Sequence, residues 1–157
     1  MADRFDLTGK VAVVTGGSRG MGLEMCKAFA AAGARVIVAS RKEAACIAVA
    51  KDIQAESGQE CHGFGYHAGD WDASDRLAEF AYEKFGKVDI LVNNAGMSPL
   101  YDKLTDVTEA LYEKILQVNL RGPFRLSTLI GERMAAGDGG SIIMVSSTAA
   151  VQPTPTE

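Results

Sequence analysis

Residues 15–22 read Thr-Gly-Gly-Ser-Arg-Gly-Met-Gly, and they separate two segments of different character. The four apolar residues before this run, at positions 11–14, predict a short buried strand. The residues after it, 23–32, are mostly good helix formers, and Gly33 stands where a C-terminal cap would end a helix. A helix that opens on a glycine turn presents free N–H groups and the positive end of its dipole. The run therefore predicts a site for an anion.

Each glycine that forms the motif has a distinct expected use. Gly16 permits the tight turn, Gly20 lets a diphosphate approach the backbone, and Gly22 lets the helix pack closely on the strand. The spacing is G-x-x-x-G-x-G, which differs from the commoner G-x-G-x-x-G dinucleotide motif. No G-x-x-x-x-G-K-[ST] run occurs, so we do not expect a P-loop NTPase. Taken alone, the three glycines could also form a turn that binds no ligand.

Length and composition are those of an ordinary globular protein, and we expect one domain over residues 1–157. Apolar residues make up 47% of the chain and charged residues 23%, which is typical of such proteins. The net charge of -4 argues against nucleic acid or an anionic membrane as a partner. No apolar run reaches the roughly 18 to 20 residues that a membrane span needs.

The spacing of the cysteines and histidines matches neither a metal site nor a disulfide framework. Cys26, Cys46 and Cys61 are odd in number and contain no C-x-x-C pair, so they are expected to be free thiols in a reducing compartment. The first residues of the chain lack the apolar region of a secretory signal, and a cytoplasmic location is the default expectation. His62 and His67 have no partner at metal-ligand spacing, and we predict no metal site.

Predicted strands and helices alternate along the chain. Apolar runs predict further strands, and helical periodicity predicts further helices. The strands are expected at 34–39, 60–67, 88–92 and 141–145, and the helices at 42–56, 75–85 and 107–136. Ser74 is a candidate N-cap for the helix at 75–85. This order predicts an α/β fold with a doubly wound, Rossmann-like parallel sheet.

Polar or glycine-rich stretches follow every predicted strand. Ligands bind open parallel sheets outside the carboxyl ends of the strands, so these stretches are expected to meet at one crevice. They are residues 15–22, Ser40-Arg41, Asp70, Asn93-Asn94-Ala95-Gly96 and Ser146-Ser147.

Together these stretches resemble the N-terminal portion of the short-chain dehydrogenase/reductase (SDR) family. The matching motifs are Thr15-Gly16-x-x-x-Gly20-x-Gly22, Asp70, Asn93-Asn94-Ala95-Gly96, Val118-Asn119 and Ile143-x-x-Ser146-Ser147. The resemblance implies hydride transfer between a nicotinamide dinucleotide and a small-molecule carbonyl or alcohol. It also implies cofactor contacts from Gly16, Ser18, Arg19, Gly20, Met21, Gly22, Asp70, Trp71, Asn93, Ala95 and Gly96.

Within that implied site, the diphosphate lies over the glycine run. Asp70 and the backbone of Trp71 would hold the adenine, while residues 93–96 would line the adenosine side. Two plainer interpretations remain open. Asp70 could simply be an acid in a loop that leads into a helix, and Asn93-Asn94 could be an ordinary turn.

The end of the second strand favours NADP(H) over NAD(H). An NAD site has an acid there that accepts from the ribose 2′-OH. This chain has Ser40 followed by Arg41, and Arg19 lies inside the glycine turn. Two guanidinium groups suit a 2′-phosphate because Arg forms paired, charge-assisted hydrogen bonds to it. Alternatively, both arginines could simply be solvated.

The resemblance assigns two catalytic candidates. Ser147 matches the family serine that orients the substrate oxygen, and Asn119 matches the helix asparagine that holds a water. Pro123 has no N–H, so a continuous helix would leave the carbonyl of Asn119 without its helical donor and free for a water. An ordinary proline kink is the alternative.

The sequence departs from the family after Ser147. The family's Tyr-x-x-x-Lys motif does not occur in it, and no existing tyrosine is followed by lysine four places later. The family's last two strands are also absent, so the sheet is expected to be incomplete at its C-terminal end. The chain could be part of a longer protein, a truncated gene product or a non-catalytic NADP-binding module; we favour the first two.

The resemblance also implies a homo-oligomer, a tetramer for a full-length parent, because the helix at 107–136 commonly forms a subunit interface in the family. In a sheet of order 3-2-1-4-5-6-7, the strand at 141–145 would have a sixth strand beside it. We therefore expect a 157-residue molecule to self-associate or aggregate through that edge.

Overall fold

The computed structural model describes residues 5–152, and its centre is a five-stranded parallel sheet with the order β3-β2-β1-β4-β5. The strands are β1 Val11–Thr15, β2 Arg35–Ser40, β3 Cys61–Gly65, β4 Ile90–Asn93 and β5 Ser141–Met144. The helices are α1 Gly20–Ala31, α2 Glu43–Ser57, α3 Trp71–Phe85, α4 Glu109–Leu116 and α5 Gly122–Ala136. The predicted doubly wound, Rossmann-like sheet is confirmed.

Helices cover both faces of the sheet because its central strands are apolar on both sides. Val11 and Val13 of β1 face a cluster that includes α3 and α5, whereas Val14 faces a cluster that includes α1 and α2. All five residues of β1 are buried. The sheet therefore holds the glycine run rigidly at the carboxyl end of its central strand.

Several predicted boundaries were wrong. Helix α1 begins at Gly20, inside the glycine run, rather than at residue 23. Helix α3 begins at Trp71, and its N-cap is Asp70 rather than Ser74. Ser74 is instead buried, with its hydroxyl 3.3 Å from the Tyr66 hydroxyl. An aspartate one turn earlier bonds two backbone N–H groups and so fixes the start of the helix.

The helix predicted at 107–136 is interrupted. It begins after Thr108, whose hydroxyl accepts a hydrogen bond from the N–H of Leu111, and it contains a π-helical segment at Gln117–Arg121. The N–H of Gly122 donates to the carbonyl of Gln117, five residues back. The widened turn lies directly before Pro123, the residue that cannot donate a helical hydrogen bond.

Strand β5 lies at one edge of the described sheet and pairs there with β4 alone. Its apolar side chains are unusually exposed, at 38% for Ile142, 41% for Ile143 and 53% for Met144. Strands β1 and β2, in contrast, have four fully buried residues each. Across residues 5–152, none of the helices combines the length and apolar character needed to cross a membrane.

Candidate functional site

The glycine run forms a turn whose backbone conformation favours glycine at two positions. Gly16 has a φ of 67° and Gly20 a φ of 56°, both in the left-handed region. A Cβ at Gly22 would lie 2.3 Å from the carbonyl oxygen of Gly16, so the predicted close packing of helix on strand is confirmed. A Cβ at Gly20 would meet nothing within 4 Å. The surface beside Gly20 is therefore open, as the approach of a ligand requires.

Within residues 5–152, no side chain caps the N-terminus of α1. Its N-cap, Arg19, makes no side-chain capping bond, and the first turn contains no acidic residue. The first backbone bond of the helix runs from the N–H of Leu23 to the carbonyl of Arg19 at 3.3 Å. The N–H groups before Leu23 have no helical acceptor, and beside them Met21 is 66% exposed. This helix end suits an external anion.

The ends of β1 and β4 are fastened together beside the turn. The Asn94 amide donates to the carbonyls of Thr15 at 2.9 Å and Gly16 at 3.4 Å. The Thr15 hydroxyl accepts from the N–H groups of Asn94 and Ala95, both at 3.0 Å. Sequence reasoning assigned no such role to Thr15 or to the Asn94 side chain. Both residues hold the glycine turn in position.

The Asn93 side chain is directed toward α5 and does not contact the glycine turn in the way that Asn94 does. Its side-chain amide donates to the hydroxyl of Ser127 on α5 at 3.0 Å, and the residue is only 4% exposed. Gly96 is exposed, and Ala95 packs against the cluster that contains α3 and α5. Since its amide contacts α5, a contact of Asn93 with adenosine stays a prediction.

The end of β2 is joined to the glycine turn by hydroxyl groups. Ser40 Oγ donates to Ser18 Oγ at 2.7 Å. Ser40 also lies 3.1 Å from the thiol of Cys46, a residue that sequence reasoning did not place in the site. Arg19 and Arg41 are exposed, and within residues 5–152 neither forms an ion pair. Each of the two bonded serines is therefore followed in the chain by an exposed arginine.

Asp70 has a structural role at the start of α3. One of its oxygens accepts from the N–H groups of Asp72 at 3.1 Å and Ala73 at 3.3 Å, and the other forms an ion pair with Arg76 at 3.1 Å. The Arg76 guanidinium holds the pKa of Asp70 below its usual value. Asp70 is therefore the N-cap of α3, and the choice between this role alone and a further contact with adenine stays open.

Trp71, the first residue of α3, packs against α5. Its ring lies under two guanidinium groups, with distances from ring centre to guanidinium carbon of 5.2 Å for Arg121 and 4.8 Å for Arg125. Arg125 also forms a bidentate ion pair with Asp75. An open cleft of about 770 Å³ lies here, lined by Gly69, Asp70, Trp71, Asp72, Gln117 and Arg121. Adenine binding at Asp70 and Trp71 stays a prediction.

The two catalytic candidates, Asn119 and Ser147, differ in their hydrogen-bond partners. The Asn119 side chain brackets the backbone of Met97, accepting from its N–H at 2.9 Å and donating to its carbonyl at 2.7 Å. It therefore fixes the loop that follows β4. Ser147 is exposed, and its hydroxyl accepts from the N–H of Ala149 at 3.2 Å. That hydroxyl keeps its own hydrogen for another acceptor.

The histidines and cysteines of residues 5–152 form no metal site, since no cluster of three or more His, Cys, Asp or Glu side chains suitable for a metal occurs there. Cys26, Cys46 and Cys61 are free and buried. Burial raises the pKa of Cys26 to about 12, so its thiol is protonated at neutral pH.

A glycine turn under an uncapped helix, at the carboxyl end of a parallel sheet, defines a nucleotide-binding α/β fold. The sequence model of a family described as "short chain dehydrogenase" matches residues 10–157, and the chain belongs to this family. It is similar to dehydrogenase/reductase SDR family member 4 of Pongo abelii, with 36% identity over 155 residues. That match covers 99% of this chain and 55% of the relative, so the chain spans about half the length of the curated relatives it matches.

Solved structures give the same family. The structure of L-sorbose reductase from Gluconobacter frateurii, complexed with NADPH and L-sorbose, matches with a TM-score of 0.94 and 28% identity. The match covers 99% of this chain and 59% of the reductase. A metagenomic short-chain oxidoreductase in complex with NADP matches with a TM-score of 0.88 and 34% identity, covering 94% of this chain and 66% of that structure.

Proposed function

We propose that this protein is an NADP(H)-dependent oxidoreductase that transfers hydride between NADP(H) and a carbonyl or secondary alcohol carbon of a small molecule. The observation that carries the proposal is the end of β2. Ser40 and Arg41 stand where an NAD site has an acid, and Ser40 is hydrogen-bonded to Ser18 of the glycine turn. We propose further that residues 1–157 form one dinucleotide-binding domain and that the protein is cytoplasmic.

The glycine turn suits the diphosphate of this cofactor. The space beside Gly20 is open, and the first N–H groups of α1 have neither a capping side chain nor an acidic neighbour. A diphosphate would supply the negative charge that this helix end lacks. In this arrangement Gly16, Gly20 and Gly22 allow the approach, while Met21 lies on the exposed rim.

The 2′-phosphate would lie between the ends of β1 and β2. Arg19 and Arg41 are free of ion pairs in the described part of the chain, and Ser18 and Ser40 offer hydroxyl groups. Two solved relatives were crystallised with NADP or NADPH, which supports the same choice of cofactor. An NAD(H) site is the weaker alternative because no acid stands at position 40 or 41 to accept from a 2′-OH.

When bound, the nicotinamide supplies the hydride chemistry, and this chain's residues supply orientation. We propose that Ser147 donates its free hydrogen to the substrate oxygen and that Asn119 holds a water near it through the widened turn before Pro123. The sequence of 157 residues contains no Tyr-x-x-x-Lys, the family's acid/base pair. We therefore propose that turnover needs a tyrosine and a lysine that these 157 residues do not supply.

The second candidate function is a non-catalytic NADP(H)-binding module. The engagement of the Asn119 side chain with the Met97 backbone favours it. Such a module would bind NADP(H) without oxidising any alcohol or reducing any carbonyl. Turnover assays on the full-length protein distinguish the two functions.

We also propose a homo-oligomer, with a tetramer as the expected state of the full-length protein. Leu120 is 62% exposed and Phe124 is 58% exposed on the helical segment that follows α4, and the edge strand β5 is apolar. Such apolar surface is typical of an interface. Light scattering on a sample of confirmed mass measures the state directly.

Calorimetric titration tests the cofactor. We expect NADPH to bind at least about ten-fold more tightly than NADH, since charge-assisted bonds to one phosphate are worth roughly 1.5–3 kcal/mol. ATP serves as the control for a general nucleotide site. Tight binding of ATP with no binding of NADPH would contradict the proposal.

A further inference from the structure

The connection between β2 and the glycine turn contains a buried thiol whose role is not explained by packing alone. Cys46 is fully buried on α2, and its sulfur lies 3.1 Å from Ser40 Oγ and 3.5 Å from the Ser40 carbonyl oxygen. The Ser40 hydroxyl in turn donates to Ser18 Oγ at 2.7 Å. Three side chains from three different elements therefore form one continuous chain.

Close docking of α2 on β3 brings Cys46 to this position. A Cβ at Gly63 would lie 2.2 Å from the N of Ile47 and 2.5 Å from the carbonyl oxygen of Cys46, so only glycine allows the contact. In the sheet, Gly63 pairs with Val38, and Ser40 pairs with Gly65. The helix therefore lies directly on the strand beside β2, and the thiol reaches the end of β2.

The number of hydrogens on these three side chains decides which group donates and which accepts in each contact. A serine hydroxyl has one hydrogen, and that of Ser40 is donated to Ser18. Any hydrogen bond between Ser40 Oγ and Cys46 is then one in which the thiol donates, and the thiol shares its single hydrogen between Ser40 Oγ at 3.1 Å and the Ser40 carbonyl oxygen at 3.5 Å. Ser18 accepts from Ser40 and so keeps its own hydrogen for an external acceptor. A phosphate oxygen is such an acceptor, whereas a ribose hydroxyl can play either part.

We propose that Cys46 is a positioning residue that sets cofactor preference: its thiol orients Ser40, which turns the Ser18 hydroxyl into a hydrogen donor for the 2′-phosphate. The proposal rests on the proposed function, because it assigns a further specificity residue to the same NADP(H) site. Cys46 itself does not touch the cofactor, since it is fully buried beneath Ser40.

Substitution of Cys46 on the full chain tests the proposal by calorimetric titration with NADPH and NADH. Cys46→Ala should weaken NADPH binding about three- to ten-fold, the worth of one neutral hydrogen bond, and NADH binding less than about two-fold. Cys46→Ser keeps a donor and should retain most of the preference. Cys61→Ala is the matched control, because Cys61 is buried in the same cluster but pairs with Val36, at the other end of β2.

A double-mutant cycle gives a second readout that a packing defect would not mimic. In a Ser40→Ala background, Cys46→Ala should cause no further loss of NADPH affinity, because the orienting step has already been removed. Thermal melting separates folding from binding in every variant. If Cys46→Ala fails to fold, the titration of Cys46→Ser against Ser40→Ala decides the matter, and equal loss of NADPH preference in both would overturn the proposal.

The outcomes distinguish the two proposals. Equal losses for NADPH and NADH in Cys46→Ala, or additive losses in the cycle, would overturn the role of Cys46 while leaving NADP(H) binding intact. A wild-type chain that binds neither cofactor would overturn the proposed function and this role with it. Selective loss of NADPH affinity, preserved by serine and absent in Cys61→Ala, is the supporting result.

Discussion

Helices α1 and α3 begin in opposite ways, although both start at the carboxyl edge of the same sheet. Helix α1 begins after Arg19 with no capping side chain and no acid in its first turn. Helix α3 begins after Asp70, which bonds two backbone N–H groups, and it has Asp72 in its first turn. Two first-turn N–H groups of α3 are bonded to Asp70, whereas those of α1 have no capping side chain and are left for an anion. The difference indicates which helix end is built to bind.

The largest effect on this difference between the two helices is expected when a side chain is added where α1 packs on the glycine turn. Gly22→Ala places a Cβ 2.3 Å from the Gly16 carbonyl oxygen and 2.6 Å from the Asn94 amide nitrogen. Because the nearer atom is backbone, we expect a loss of about 3 kcal/mol in the free energy of unfolding, together with loss of NADPH binding. Chemical denaturation and titration measure the two effects.

Gly20→Ala is the control for that substitution. Gly20, unlike Gly22, has a left-handed φ of 56°, but a Cβ there meets nothing within 4 Å. We expect a smaller cost of roughly 1–2 kcal/mol from the backbone conformation alone. If Gly22→Ala were no more destabilising than Gly20→Ala, the close packing of α1 on the turn would not be what fixes this site.

The second prediction concerns the charge that follows β2. Arg41→Ala should weaken NADPH binding by about 1–3 kcal/mol and NADH binding far less, because only NADPH has a 2′-phosphate for the guanidinium. Lys51→Ala removes the same charge from an exposed position farther along α2 and should change neither affinity appreciably. Equal losses for both cofactors would mean that Arg41 does not contact the 2′-phosphate.

The smallest expected effect is at the start of α3, and it depends on pH. Because the pKa of Asp70 is lowered in the folded state, its ion pair and cap stabilise the fold above the ordinary carboxyl pKa of about 3.9. That stabilisation is lost as the pH falls through the lowered pKa. Asp70→Asn should therefore lower the melting temperature at pH 7, and the difference from wild type should shrink as the pH falls below about 3.9.

The matched control is Asp52→Asn on α2, an exposed carboxylate that forms no ion pair within residues 5–152. It should leave the melting temperature unchanged at both pH values. If Asp70→Asn stayed less stable than wild type by the same amount at pH 3 as at pH 7, ionisation of Asp70 would not be the cause.

Much of the fold could be predicted because the apolar periodicity and the glycines that end helices indicate the same elements along this chain. The apolar run at 11–14 is fully buried, and Gly58 and Gly86 end α2 and α3 in the left-handed conformation. These are local signals, and nothing in the tertiary structure opposes them. The strand order β3-β2-β1-β4-β5, in contrast, was expected from the family resemblance, and the structure has that order.

The errors occurred where side chains act over longer distances. Ser74 looked like a cap, but Asp70 took that role with the help of Arg76. Glycine inside a strand ordinarily weakens it, yet Gly63 of β3 is where α2 touches the sheet. No local pattern marks Cys46 as a partner of Ser40, since the contact depends on how α2 docks. Of the candidate site, the glycine run was the readily predicted part.

Amide hydrogen exchange of the full-length protein, with and without saturating NADPH, tests the central claim most directly. We expect NADPH to slow exchange at the N–H groups of Gly20, Met21 and Gly22, which have no helical acceptor. The N–H groups of Asp72 and Ala73 are already bonded to Asp70 and should not change. Protection at α3 without protection at α1, or no protection at either helix, would contradict the account.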